Sequence, residues 1–145
     1  MTQVDFYVVT TDSDDAWLRL ACRIAEKAMQ NDKSVFVHTD QAHEAHRLDE
    51  VLWTFSAGSF VPHRIVRSGD TTDTLEPVLI GTGECPIRER CDVMINLGED
   101  VPEFFSRYDR VVEVVDSNAR RRNAGRARYR YYRDRGYKMA THNID

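Results

Sequence analysis

The sequence predicts an α/β fold, a Rossmann-like and mostly parallel sheet with helices on both faces. Three observations carry this. Apolar runs of strand length, rich in β-branched residues, recur at residues 4–10, 34–38, 77–80, 92–97 and 110–115. Spans with apolar residues at helical spacing lie between or after several of them. Alternation of this kind favours a parallel sheet, because parallel strands are joined by crossovers that are usually helices. At 145 residues the chain has the length of one domain, residues 1–145, with enough material for a core without disulfides or metal.

Taken in order, residues 4–10 form the first strand and 34–38 repeat its character after a polar turn at 30–33. Between them Leu18, Ala21, Cys22, Ala25 and Met29 recur at i, i+3, i+4, i+7 and i+11. One stripe of a helix therefore faces a core, with Asp12 or Ser13 as its cap. A second helix is expected at about 41–53, with Asp40 as cap and Ala45, Leu48 and Leu52 buried. Residues 59–67 read as a loop running into a short edge strand, and 68–76 as a mobile surface loop. A short helix is expected over 101–108 and a long one over about 117–135. No repeat, low-complexity segment or linker interrupts the chain.

Charge divides the sequence. Net charge is −4, but residues 1–115 carry 11 Lys and Arg against 21 Asp and Glu, whereas residues 116–145 carry 9 against 3. A basic C-terminal block on an acidic body suits a short acidic partner better than a long nucleic acid, which the body would repel. No apolar window is long enough for a membrane span and no secretory signal is expected, so the cytoplasm is the expected location. Three cysteines, Cys22, Cys85 and Cys91, without a C-x-x-C pair, are expected to be reduced thiols.

Enzymatic signatures are weak. The turn after the first strand, Thr10-Thr11-Asp12-Ser13-Asp14-Asp15, has no glycine to let a pyrophosphate approach and three acids to repel one. No Gly-Lys-Ser/Thr occurs, and Pro86 stands where Gly81-Thr82-Gly83 would need a third glycine. His43 and His46 could share a metal on one helix face but have no third ligand at a recognisable spacing. His63, in a loop, could be an acid–base group, or hydrogen-bond its own backbone or a partner's. Cys85 and Cys91 suit no common metal motif, and no histidine can be assigned beside either. No catalytic residue, cofactor or metal is expected.

Two surfaces stand out instead. On the helix over 117–135, Arg122, Arg126, Tyr129 and Arg133 fall within about 60° of one another at 100° per residue, with Arg130 flanking. Ala124, Ala127 and Tyr131 lie on the opposite, packing side. The cationic face is either a solvated charged surface or a site that holds carboxylates by forked hydrogen bonds and an apolar ring by stacking. The second surface is the run from Trp53 to His63, which interleaves Trp53, Phe55 and Phe60 with an Ala57-Gly58 turn. Those rings either seal one end of the sheet or anchor an interface.

Residues 46–63, His-Arg-Leu-Asp-Glu-Val-Leu-Trp-Thr-Phe-Ser-Ala-Gly-Ser-Phe-Val-Pro-His, resemble the chi subunits of the bacterial DNA polymerase III holoenzyme, in which Arg-Leu-Asp-Glu-x-Leu-Trp precedes Ser-Phe-Val-Pro-His. The resemblance extends through Asp-Phe-Tyr at 5–7, Pro-Val-x-Ile at 77–80 and Arg-x-Arg-Tyr-x-x-Tyr-Arg at 126–133. It implies a non-catalytic accessory subunit of the clamp loader, and two binding sites. The acidic, Phe-ended tail of single-stranded-DNA-binding protein would lie on Val115, Arg122, Arg126, Tyr129 and Arg130, beside Arg133. Trp53, Phe60, Val61, Pro62 and His63 would dock the small psi subunit in a 1:1 heterodimer, with DNA reached only indirectly. Arg122 and Arg130 stand where the family has lysines, and Asp116 replaces the proline that usually follows Val115. The rival reading is a degenerate nucleotide- or nucleic-acid-processing enzyme on the same α/β scaffold.

Overall fold

Strands that are apolar on both sides need a sheet covered on both faces, and successive residues of each central strand divide between two cores. Val35 and Val37, Val78 and Ile80, Val93 and Ile95, and Val112 and Val114 belong to one; Phe36, Leu79, Met94, Val111 and Val115 belong to the other. The computed structural model describes residues 1–11, 13–67, 76–83 and 90–144. Asp12, residues 68–75 of the expected mobile loop, and Cys85 lie outside them.

The strands are β1 (Gln3–Val9), β2 (Val35–His38), β3 (His63–Ile65), β4 (Val78–Gly81), β5 (Val93–Asn96), β6 (Arg110–Val115) and β7 (Lys138–Ile144). The helices are α1 (Asp14–Gln30), α2 (Ala42–Thr54) and α3 (Ala119–Asp134), with a single 3-10 turn at Phe105–Arg107 where a short helix was expected. One sheet runs β3-β4-β2-β5-β6-β1-β7, and every described pair is parallel. Helices α1 and α2 cover one face; α3 and the aromatic residues Phe105, Tyr108, Tyr132 and Tyr137 cover the other. The Rossmann-like α/β expectation holds, with a sheet that is parallel throughout.

Strand β7 went unexpected. It pairs with β1 from Gln3–Lys138 to Val9–Ile144, but as an edge strand it is largely solvated, so its residues Lys-Met-Ala-Thr-His-Asn-Ile show no apolar run. The end of the preceding helix did carry a signal: Gly136 adopts φ +77° just past α3, the left-handed conformation that terminates helices cheaply only with glycine.

Of the expected caps, Ser13 holds and Asp40 does not. Ser13 caps α1, its hydroxyl accepting from the Ala16 N–H at 3.4 Å. Asp40 does not cap α2, whose N-cap is Gln41 with no side-chain hydrogen bond. The Asp40 carboxylate accepts instead from the Glu99 N–H at 2.7 Å, tying the end of β2 to the loop after β5.

Candidate functional site

Helix α3 is fixed from below by a buried acid. Glu113 sits in the middle of Val-Val-Glu-Val-Val, so strand β6 carries it into the core, and a buried carboxylate needs donors. Arg128 donates to it at 2.7 Å through Nε, Tyr132 at 2.7 Å through its hydroxyl, and Asn96 at 3.1 Å through its amide. Arg128 also reaches the Glu99 carbonyl at 2.9 Å. Burial pushes the Glu113 carboxyl up, and the charge of Arg128, with hydrogen bonds from Tyr132, Asn96 and Arg128, draws it back. Burial, and then Glu113, push the Tyr132 hydroxyl up as well, so it keeps its proton and remains the donor.

The inner stripe of α3 is therefore Gly125, Arg128 and Tyr132, flanked by the half-buried Arg121, Ala124 and Tyr131. This corrects the expected packing side at one position: Ala127 is exposed. A Cβ on Gly125 would meet Val115 Cγ2 at 2.8 Å, which shows how closely the helix crosses β6.

Burying Arg128 turns the other arginines outward. Arg122, Arg126 and Arg130 are exposed, and among the described residues none of their side chains has an ion pair or hydrogen bond. Tyr129 stands among them, 37% exposed, its ring edge-on to Phe6 of β1 with centroids 5.3 Å apart. Arg133 is exposed and pairs with Asp134 at 3.2 Å. Val115 is only 7% exposed, in the core under Gly125, and reaches this surface as support. Asp116, the acid expected beside the cationic face, is buried, its charge taken by a forked pair with Arg121 at 2.9 and 2.6 Å.

The second surface lies where α2 gives way to β3. Trp53 is 55% and Phe60 65% exposed, with rings 5.9 Å apart. Phe55 and Val61 turn inward and are buried. Successive residues of an extended segment point to opposite sides, so Phe60 faces out because Val61 faces in. The two readings of this segment thus divide by residue: Phe55 and Val61 seal the sheet, while Trp53 and Phe60 are left for solvent. Pro62 is half-buried, and the His63 ring lies 4.7 Å from that of Trp53.

A third feature is a cavity of about 420 Å³ at the carboxyl ends of the strands, where open α/β sheets bind ligands. Asp40, Glu44 and Glu99 line it, and each of its arginines is engaged: Arg120 with Glu99, Arg121 with Asp116 and Arg128 with Glu113. Among the described residues no three His, Cys, Asp or Glu are grouped to hold a metal, and no helix is long and apolar enough to cross a membrane.

Sequence reasoning missed the Glu113, Arg128, Tyr132 and Asn96 network. The signal was an acid within five valine-rich strand residues, which requires a buried counter-charge from another element.

Residues 1–140 match the family model described as DNA polymerase III chi subunit, HolC. The chain is 37% identical over 144 residues to DNA polymerase III subunit chi of Pseudomonas aeruginosa, covering 99% of this chain and 98% of that protein. It is 30% identical to the protein of that name from Escherichia coli, covering 97% of each, and 27% identical to that of Haemophilus influenzae, covering 96% and 95%. Two motif-bearing helices, an α/β sheet of the expected class and a match across nearly the whole chain agree: the chain belongs to the DNA polymerase III chi subunit family.

Proposed function

We propose that the chain is a non-catalytic bridge of the polymerase holoenzyme, working in the cytoplasm. Its α3 face holds the acidic, Phe-ended tail of single-stranded-DNA-binding protein, and its Trp53 to His63 surface docks the psi subunit of the clamp loader in a 1:1 heterodimer. DNA is reached only through the tail-bearing protein. Two modest interfaces on one body raise the local concentration of the polymerase on coated template without contacts to bases.

The observation that carries the reading is the trio of exposed guanidiniums, Arg122, Arg126 and Arg130, around a tyrosine edge, none of them paired among the described residues. Forked donors suit carboxylates, and the exposed Tyr129 ring, backed by the buried Phe6, offers an apolar seat for a terminal phenylalanine. The nucleotide-processing alternative is disfavoured by the cavity at the strand ends, whose arginines are all engaged and whose rim is acidic.

Calorimetric titration with an acidic nonapeptide ending in Phe tests the tail site. Binding is expected to weaken with added salt, and Arg126→Glu to lose roughly 1.5–3 kcal/mol, the range for a hydrogen bond to a charged group. An unchanged constant for Arg126→Glu would remove the site from α3.

A further inference from the structure

We infer that His63 is a positioning residue for the apolar surface and not one of its contacts. This rests on the reading of Trp53 and Phe60 as an interface. The His63 side chain is 0% exposed, so it offers a partner no area. Its two ring nitrogens instead join the loop to the helix before it. Nδ1 lies 2.6 Å from the Val61 carbonyl oxygen; Nε2 lies 3.1 Å from the Asp49 carbonyl oxygen and 3.0 Å from the Asp49 carboxylate. All three neighbours are acceptors, and whichever ring nitrogen carries a hydrogen donates to the one beside it, so the ring sits between the last turns of α2 and the start of β3.

Holding that one carbonyl matters because of its place in the chain. Fixing the plane of the peptide after Val61 fixes which of two adjacent side chains faces in, and so keeps Phe60 out and Val61 in. Pro62 has no N–H with which the backbone could make its own tether there. On the other side Ser59 donates to the Glu26 carboxylate of α1, and Gly58 turns the chain at φ +77°. The His63 ring also backs Trp53, the two tilted with centroids 4.7 Å apart. The surface is thus held in its exposed form before a partner arrives, which reduces the ordering cost of association.

The test uses His63→Ala, His63→Asn and Asp49→Ala in the full chain, beside Trp53→Ala and Phe60→Ala, with purified psi subunit as the probe. Asp49→Ala keeps the buried ring and deletes only the carboxylate, so it reports even where His63→Ala fails to fold. The asparagine amide can stand where Nδ1 stands and restore the bond to the Val61 carbonyl. The expected result is about tenfold weaker psi binding for His63→Ala, about threefold for Asp49→Ala, and most of the affinity regained in His63→Asn. Amide exchange over residues 55–63 should speed up in His63→Ala and Asp49→Ala while exchange in α1 and the nonapeptide constant stay as they were. Unchanged loop exchange in both variants overturns the proposal whatever psi does. Faster exchange with unchanged affinity, alongside a loss in Phe60→Ala, overturns it too. If Trp53→Ala and Phe60→Ala bind psi as the parent does, the interface reading itself falls, and His63 falls with it as a determinant of binding.

Discussion

Arg126 and Arg128 are two residues apart on one helix and do opposite work. Arg128 is buried, forked between Glu113 and the Glu99 carbonyl, and sets where α3 lies on the sheet. Arg126 is exposed, with no partner among the described residues, which is what the proposed tail site requires. The difference comes from β6: a single acid in a valine strand draws one arginine inward, and the helical repeat then turns Arg122, Arg126 and Arg130 outward. Residue type alone says little about an arginine's role; the charge opposite it decides.

That contrast can be broken from either side. Arg128→Ala leaves Glu113 buried without its cation and should cost about 3–5 kcal/mol of folding stability, the range for removing one partner of a buried pair. Arg126→Ala should leave the melt within about 0.5 kcal/mol, as a surface substitution does. Chemical denaturation of the two variants side by side checks this, and equal losses would dissolve the distinction between the two faces.

The apolar loop offers the same test with uncharged residues. Phe60→Ala should weaken psi binding by roughly 2–4 kcal/mol and hardly move the melting temperature. Val61→Ala removes buried methyls and should cost about 2–3 kcal/mol of stability, through lost burial and the cavity left behind. Thermal melts and a psi pull-down on both variants decide it: a large drop in melting temperature for Phe60→Ala would make that ring part of the core.

A further test concerns Cys22 of α1, in the same core as Val61. Burial, only partly offset by Arg19 and Arg23, pushes the Cys22 thiol from 9.0 up to about 12. The fold thus keeps the thiol neutral where the unfolded chain ionises it. Its stabilising share is complete below 9.0 and lost as pH rises toward about 12, at about 1.4 kcal/mol per unit. Cys22→Ala should therefore show a shallower alkaline loss of stability than the parent across that window, measured by urea unfolding at stepped pH; parallel curves would contradict it.

Much of this was legible in the sequence. The strands of the sheet interior and helices α1, α2 and α3 announced themselves, because an apolar run or a stripe such as Leu18, Ala21, Cys22 and Ala25 reports burial directly. What failed did so where burial is not apolar. The inner face of α3 centres on Arg128, which a hydropathy pattern counts as solvent, so Ala127 was placed on the packing side and is exposed. Edge strand β7 buries too little to leave a pattern, and Asp40 found a backbone N–H across the sheet that local capping rules cannot foresee. The candidate surfaces were visible as Trp53, Phe60 and the arginines. That Val61 and Val115 support those surfaces from within depended on pairings between distant elements.

A bridge of the proposed kind must hold both partners at once. The α2 to β3 connection lies at one end of the strand order, while α3 packs on β6 and β7 toward the other. Titrating the acidic, Phe-ended nonapeptide into the preformed complex with psi measures the coupling between the sites directly. The same constant as for the free chain, within about twofold, is expected; loss of peptide binding in the complex, or release of psi by the peptide, would rule out a bridge.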